Sequence, residues 1–364
     1  MSDRSKLLRT LTGDLIFLAL VLAGTAVFLE LAARALQRNS RPVIPSVLDD
    51  FGGSRLETEL DLPVKLPHYQ RVRLTTDATG ARVVDVAARD ANRSDGILIV
   101  GDSQILGQGL DFSQTAAARL AQRLHVPLER VTILAADLQD PERELSWVRD
   151  YSRAHPQHQR IEVVALNLGN DLDEMYMGRA NDHLPSGGSL TSWLSRHSVA
   201  FLDFDMLRIA LAPRQKDAHV EVNYSMLLLN DTERAILAEG VAASLDRLVR
   251  ALPPADQRAI LIIPQDSQVA ASQFLKYRSL YRTDSDFALH QAAQREAVQH
   301  LEAFQSDIVA RLNSKLNVPV VVLEPALRAA LNKPNLIDVQ SHQLMAAGQE
   351  VAAQALVEAM GTRP

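Results

Sequence analysis

Apolar residues along the chain fall into two kinds of run. Short blocks, Gly96–Val100 (GILIV), Val131–Leu134 (VTIL), Ile161–Leu166 (IEVVAL), Ala259–Ile263 (AILII) and Val318–Leu323 (VPVVVL), alternate with longer segments carrying Ala and Leu at helical intervals. Blocks this apolar suit strands buried on both faces, so the alternation predicts an α/β domain built on a five-stranded parallel sheet. The helical segments are Ser113–Leu124, one beginning near Pro141, Asp231–Leu252 and a final one over Leu344–Met360. Upstream, Gln70–Leu74 and Arg82–Val84 flank a Thr79-Gly80 turn and read as a hairpin. Residues 39–67, punctuated by Pro, Ser and Asp, read as a linker with little regular structure. The stretch between the third and fourth strands, about 172–254, exceeds a normal crossover and reads as an insertion able to shape or cover a site. The expected organisation is 1–38, 39–95 and 96–364.

One run does not fit a globular pattern. Leu15–Leu29 carries no charge, and apolar character resumes after Glu30 through Ala33. With its flanks it approaches the ~20 residues that span ~30 Å of hydrocarbon. An uncleaved N-terminal transmembrane helix is the main reading. A cleaved signal peptide, with Ala33-Arg34-Ala35 as the site, and a buried core helix are the alternatives. Arg4, Lys6 and Arg9 precede the run and Arg34, Arg38 and Arg41 follow it, so flanking charge does not set its orientation.

Composition narrows the function classes. Hydrophobic residues make up 47% and charged residues 23%, a globular balance. Lys plus Arg number 38 against 44 Asp plus Glu, a net charge of −6, which argues against a nucleic-acid partner. Cysteine is absent, which excludes disulfides, thiol catalysis and Cys-ligated zinc. His183, His197 and His219 show no metal-ligand spacing, and neither a metal nor a cofactor is expected.

Functional loops of open parallel sheets lie at the carboxyl ends of strands. There the first strand runs into Gly101-Asp102-Ser103-Gln104, placing a hydroxyl at a sharp strand-to-helix turn; Asp102 or Ser103 as a helix N-cap is the alternative. The third strand ends in Leu168-Gly169-Asn170-Asp171, where the Asn170 amide can donate toward an oxyanion, or else cap a helix or form an Asx turn. Asp338 and His342 precede the final helix: a carboxylate able to orient an imidazole, or two residues of a solvated loop. Three such candidates, in order, end successive α/β units.

Together these segments resemble the SGNH (GDSL-type) hydrolases. GDSQILGQGL, Gly101–Leu110, is similar to the family's nucleophile block. LNLGND, Leu166–Asp171, resembles its Asn block, and Ala346-Ala347-Gly348 the start of its last helix. DATGAR, Asp77–Arg82, resembles a segment found in membrane-anchored bacterial members, whose N-terminal span ends in Glu and Arg as Glu30 and Arg34 do here. The resemblance implies a flavodoxin-like three-layer α/β/α fold and acyl-ester chemistry. It makes Ser103 the nucleophile, His342 the base and Asp338 its orienter. Asn170 and the Ser103 backbone N–H would join the oxyanion hole. Two positions depart from the pattern. Leu138 stands where the family's oxyanion Gly is expected. The family's Asp-x-x-His becomes Asp338-x-x-x-His342, and counting back from Gly348 without a gap lands on Gln343. Either a one-residue bulge restores the geometry or the triad is degraded.

The implied function is a membrane-tethered serine esterase or O-acetyltransferase. It would face the periplasm from a bacterial inner membrane and act on O-acetyl or other acyl esters of a cell-envelope polysaccharide. A membrane-bound acyltransferase would be a natural partner. The competing expectations are a catalytically silent SGNH-like module that binds glycan or scaffolds an assembly, and a lipid-directed esterase with an apolar lid.

Overall fold

A computed structural model describes residues 21, 23–29, 44, 46–48, 54–64, 69–89, 91–136, 141–169, 229–270, 284–338 and 343–361. Contacts divide the chain into two units. The first comprises 1–41 and 184–215, and its described residues are a helical stretch at 23–29 with Val21. The second comprises 42–183 and 216–364 and carries the sheet.

The strands are β1 (Ser46–Leu48), β2 (Ser54–Leu56), β3 (Asp61–Val64), β4 (Val72–Thr76), β5 (Arg82–Val83), β6 (Ile97–Gly101), β7 (Val131–Ala135), β8 (Gln159–Asn167), β9 (Ala255–Ile263), β10 (Val320–Val322), β11 (Ile337–Asp338) and β12 (Gln343–Leu344). The helices are α1 (Ser103–Leu106), α2 (Ala116–Arg123), α3 (Pro141–Ala154), α4 (Asp231–Ala251), α5 (Asp266–Ala270), α6 (Asp284–Lys315), α7 (Glu324–Ala329) and α8 (Ala346–Ala359).

All five apolar blocks form parallel strands, in the order β10-β9-β8-β6-β7. In chain order that is 2-1-3-4-5, the flavodoxin-like winding, and it places the ends of β6 and β8 side by side. Every residue of β6 and β7 is buried, as continuous apolar strands require when helices cover both faces. On one side α3 and α6 pack on α4; elsewhere α2 packs on α8.

The sheet has eight strands, not five. The predicted hairpin forms, with Thr75 opposite Val83 and Thr76 opposite Arg82, and β5 then pairs antiparallel with β7. Beyond it, β3 pairs with β4, so the supposed linker at 39–67 supplies an edge strand and the β1–β2 pair. Pro63 fits that edge, where a missing N–H is tolerated. Leu56, Leu60 and Val64 are buried, anchoring this segment to the core. Runs this short gain their strand character from the neighbour they pair with, which local pattern does not reveal.

Among the described residues, no helix is long and apolar enough to cross a membrane. Most of the candidate span at 1–38 lies outside them, as does most of the insertion, 170–228.

Candidate active site

The site begins where β6 ends. Asp102 has extended backbone geometry and caps α1 by accepting from the Gln104 N–H at 3.0 Å, so Ser103 is the first helical residue. Asp102 is thus the cap of this turn, and Ser103 carries its hydroxyl at the bend. The second carboxylate oxygen of Asp102 accepts from Asn167 Nδ2 at 2.8 Å, across the β6–β8 boundary. Asn167 Oδ1 in turn accepts from the Gly169 N–H at 2.9 Å, shaping the start of the loop that leads to Asn170. Sequence reasoning passed over Asn167. The signal was a polar residue inside an apolar strand, two positions before a Gly.

The loop after α1 is fixed from below. Arg82, 2% exposed, donates to the carbonyls of Leu106 (2.5 Å), Gly107 (3.2 Å) and Leu110 (2.7 Å). Burial lowers its guanidinium to about 10, so it stays charged at neutral pH. Arg82 is delivered by the turn before it. There Asp77 Oδ1 accepts from the Thr79 N–H, the Thr79 hydroxyl and the Ala81 N–H, and Oδ2 pairs with buried Arg93 at 2.6 Å. The DATGAR segment thus works as a bracket under the Ser103 turn.

The C-terminal segment closes the site from the other side. β11 and β12 pair antiparallel, with Asp338 opposite Gln343 and Ile337 opposite Leu344. The Leu344 N–H donates to Gln104 Oε1 at 2.7 Å. From α8, Gln349 Nε2 donates to the carbonyls of Gln104 (2.6 Å) and Leu344 (3.3 Å), while its Oε1 accepts from Ala116 N at 2.8 Å. This network carries one side chain to the candidate nucleophile: Gln343 Nε2 donates to Ser103 Oγ at 3.0 Å. Ser103 is 4% exposed.

Of the residues expected from sequence, the fold brings Ser103 against the segment that bears Asp338. Leu138, Asn170 and His342 lie outside the described residues, as do His183, His197 and His219. The residue seen on Ser103 is Gln343, the position reached by counting back from Gly348. Among the described residues no group of three His, Asp or Glu converges to hold a metal.

No family model and no curated protein matches this sequence. Solved structures do show likeness. An α/β hydrolase from the Lake Arreo metagenome is 12% identical, aligned over 75% of this chain and 100% of its own, with a TM-score of 0.37. A member of the lipolytic G-D-S-L family from Veillonella parvula is 10% identical over 73% and 98%, with a TM-score of 0.34. A catalytic mutant of Axe2, an acetylxylan esterase from Geobacillus stearothermophilus, is 10% identical over 73% and 94%, with a TM-score of 0.39.

Proposed function

We propose that the chain is a serine acyl esterase of the SGNH type, acting through Ser103 on acyl esters of a carbohydrate. The observation that carries this reading is the placement of Ser103. It stands at the carboxyl end of a central parallel strand, between the Asn167 loop and the β11–β12 segment, with its hydroxyl already engaged from that segment. A hydroxyl held there can attack an ester carbonyl: the Oγ–acyl bond forms, the alcohol leaves, and water or a second sugar hydroxyl takes the acyl group. In this reading His342 takes the Ser103 proton with Asp338 orienting it, and Asn170, the Ser103 N–H and the Leu138 N–H face the oxyanion. Acetyl esters of an envelope polysaccharide are the proposed substrates, with the domain tethered on the periplasmic side of a membrane by the N-terminal run. Val27, Phe28 and Leu29 are exposed, which supports a tether.

The test is labelling of the whole protein by a fluorophosphonate, alongside release of acetate from acetylated xylan and from an acetylated envelope polysaccharide. Ser103-dependent labelling and release are expected. Release that survives Ser103→Ala overturns the assignment of the nucleophile.

A second reading has its own support. Gln343 presents an amide to Ser103, and an amide does not take up a proton at physiological pH. That arrangement suits a module that binds an acylated glycan and hydrolyses it slowly or not at all.

A further inference from the structure

We propose that Gln343 stands in the place from which a base would serve Ser103, and that this amide, flanked by Asp338, sets the reactivity of the hydroxyl. The inference rests on the reading of Ser103 as the acyl-accepting group.

Three observations place it. First, Gln343 Nε2 is 3.0 Å from Ser103 Oγ, the distance at which a base removes a hydroxyl proton. Second, Asp338 is the antiparallel partner of Gln343, and directly opposed residues present their side chains on the same face of a ladder. A carboxylate therefore lies beside position 343 on the face that meets Ser103. The order carboxylate, position 343, hydroxyl is the order of a triad, with a neutral amide in its middle. Third, the backbone of this segment is riveted: Leu344 N–H to Gln104 and Gln349 to Gln104 and Leu344 leave the register of position 343 fixed against Ser103.

Chemistry then decides what the amide does. Nε2 donates to Oγ, which steadies the hydroxyl and draws on the lone pair that must attack. With the amide turned over, Oε1 accepts the hydroxyl proton instead. In neither orientation does the proton leave Ser103, because the amide is not basic. The Gln343 Oε1 atom is buried and has no hydrogen-bond partner among the described residues. The side chain that reaches Ser103 among the described residues is that of residue 343. The single-site change that would complete the line from Asp338 to Ser103 is therefore at 343.

The experiment measures the rate of fluorophosphonate labelling of the full chain between pH 5 and 9, with thermal melting to confirm folding. In labelling, the Oγ–P bond forms, the P–F bond breaks, fluoride departs, and the hydroxyl proton goes to whatever base is present. Gln343→His should raise the rate about 10²-fold over the parent, in the range contributed by a positioned general base. The rate should climb through about pH 6.5 as the imidazole loses its proton. Ser103→Ala in that background should abolish labelling, and Asp338→Asn should take back most of the gain. Gln343→Glu, a second variant of nearly unchanged shape, should also accelerate labelling at neutral pH. Gln343→Ala removes the amide without supplying a base and should not accelerate.

Folded Gln343→His and Gln343→Glu proteins that label no faster than the parent overturn the proposal. So does a Gln343→Ala protein as fast as Gln343→His, since Gln343 would then merely cover the hydroxyl. A parent that labels fast and loses labelling on His342→Ala also overturns it, while leaving the esterase reading standing. An inert parent with an active Gln343→His variant upholds it, and moves the native chain to the slow-binding reading.

Discussion

Ser103 and its neighbours show how much one polar atom can carry when it is buried. Asn167 donates to a carboxylate that is 1% exposed, and Asn167→Ala would take a donor away from Asp102 while also freeing the Gly169 N–H. Losing a hydrogen bond to a buried charged group costs about 1–3 kcal/mol, so Asn167→Ala is expected to lower the unfolding free energy by that amount, seen as a lower denaturant midpoint with unchanged slope. A variant as stable as the parent would make Asn167 incidental to the site. Glu162 makes a different residue-scale prediction. It lies opposite Arg258 in the sheet, with Oε2 2.7 Å from Nε, yet its side chain is fully enclosed. Burial outweighs the guanidinium and raises its carboxyl to about 7. A group that binds its proton more tightly in the folded state stabilises that state most below its unfolded value. Stability should therefore fall as pH rises from about 4.5 to 7. The melting temperature of Glu162→Gln should lack that downward slope, and parallel profiles for the two proteins would place the titration elsewhere.

Elements explain why the residues stay where they are. Gly80 has a φ of +81°, and a Cβ there would run into the Leu56 carbonyl oxygen. The turn it completes sets Arg82 under the loop that follows Ser103, so Gly80→Ala should cost about 1–3 kcal/mol through backbone strain. Arg82→Met should be more informative, because it keeps the volume and removes the donors. Three carbonyls would each lose a donor. We expect a loss of about 2–4 kcal/mol in stability, and a drop in Ser103 labelling larger than the folded fraction accounts for. Equal loss of fold and labelling would mean that Arg82 supports the domain and not the turn. At the other end, Gly348 lets α8 start against β11, since any side chain there would strike the Leu336 carbonyl oxygen. That close approach packs α8 against the segment that carries the Asp338–Gln343 pair.

At the scale of the molecule, the edge of the sheet decides where the domain begins. Leu56, Leu60 and Val64 are buried, and each such side chain contributes about 1.5–3 kcal/mol as an upper figure. A chain starting at Pro42 is therefore expected to melt cooperatively, near the temperature of the full protein. A chain starting at Gln70, which discards β1 to β3, should be destabilised by several kcal/mol and prone to associate through the uncovered edge of β4. Identical melting of the two would return residues 42–69 to the status of a linker.

The sequence by itself determined the five parallel strands, because uninterrupted apolar blocks have few other places to go in a folded chain. It also marked the turns at Ser103 and Gly169, where glycines and small polar residues follow an apolar strand. DATGAR was legible as a motif, although its physical task, a guanidinium holding three carbonyls, emerged only from the fold. Tertiary structure alone decided the rest. The strands β1 to β3 exist through pairing that no local pattern encodes. The partner of Ser103 depends on register, since a shift of one residue along a strand reverses which side chain faces inward; counting back from Gly348 marked position 343, but only the folded register brings its amide to the hydroxyl. The pairing of Asp338 with Gln343 settled that the described neighbour of Ser103 is an amide, because cross-strand contacts are made between residues that the chain brings together only after it folds.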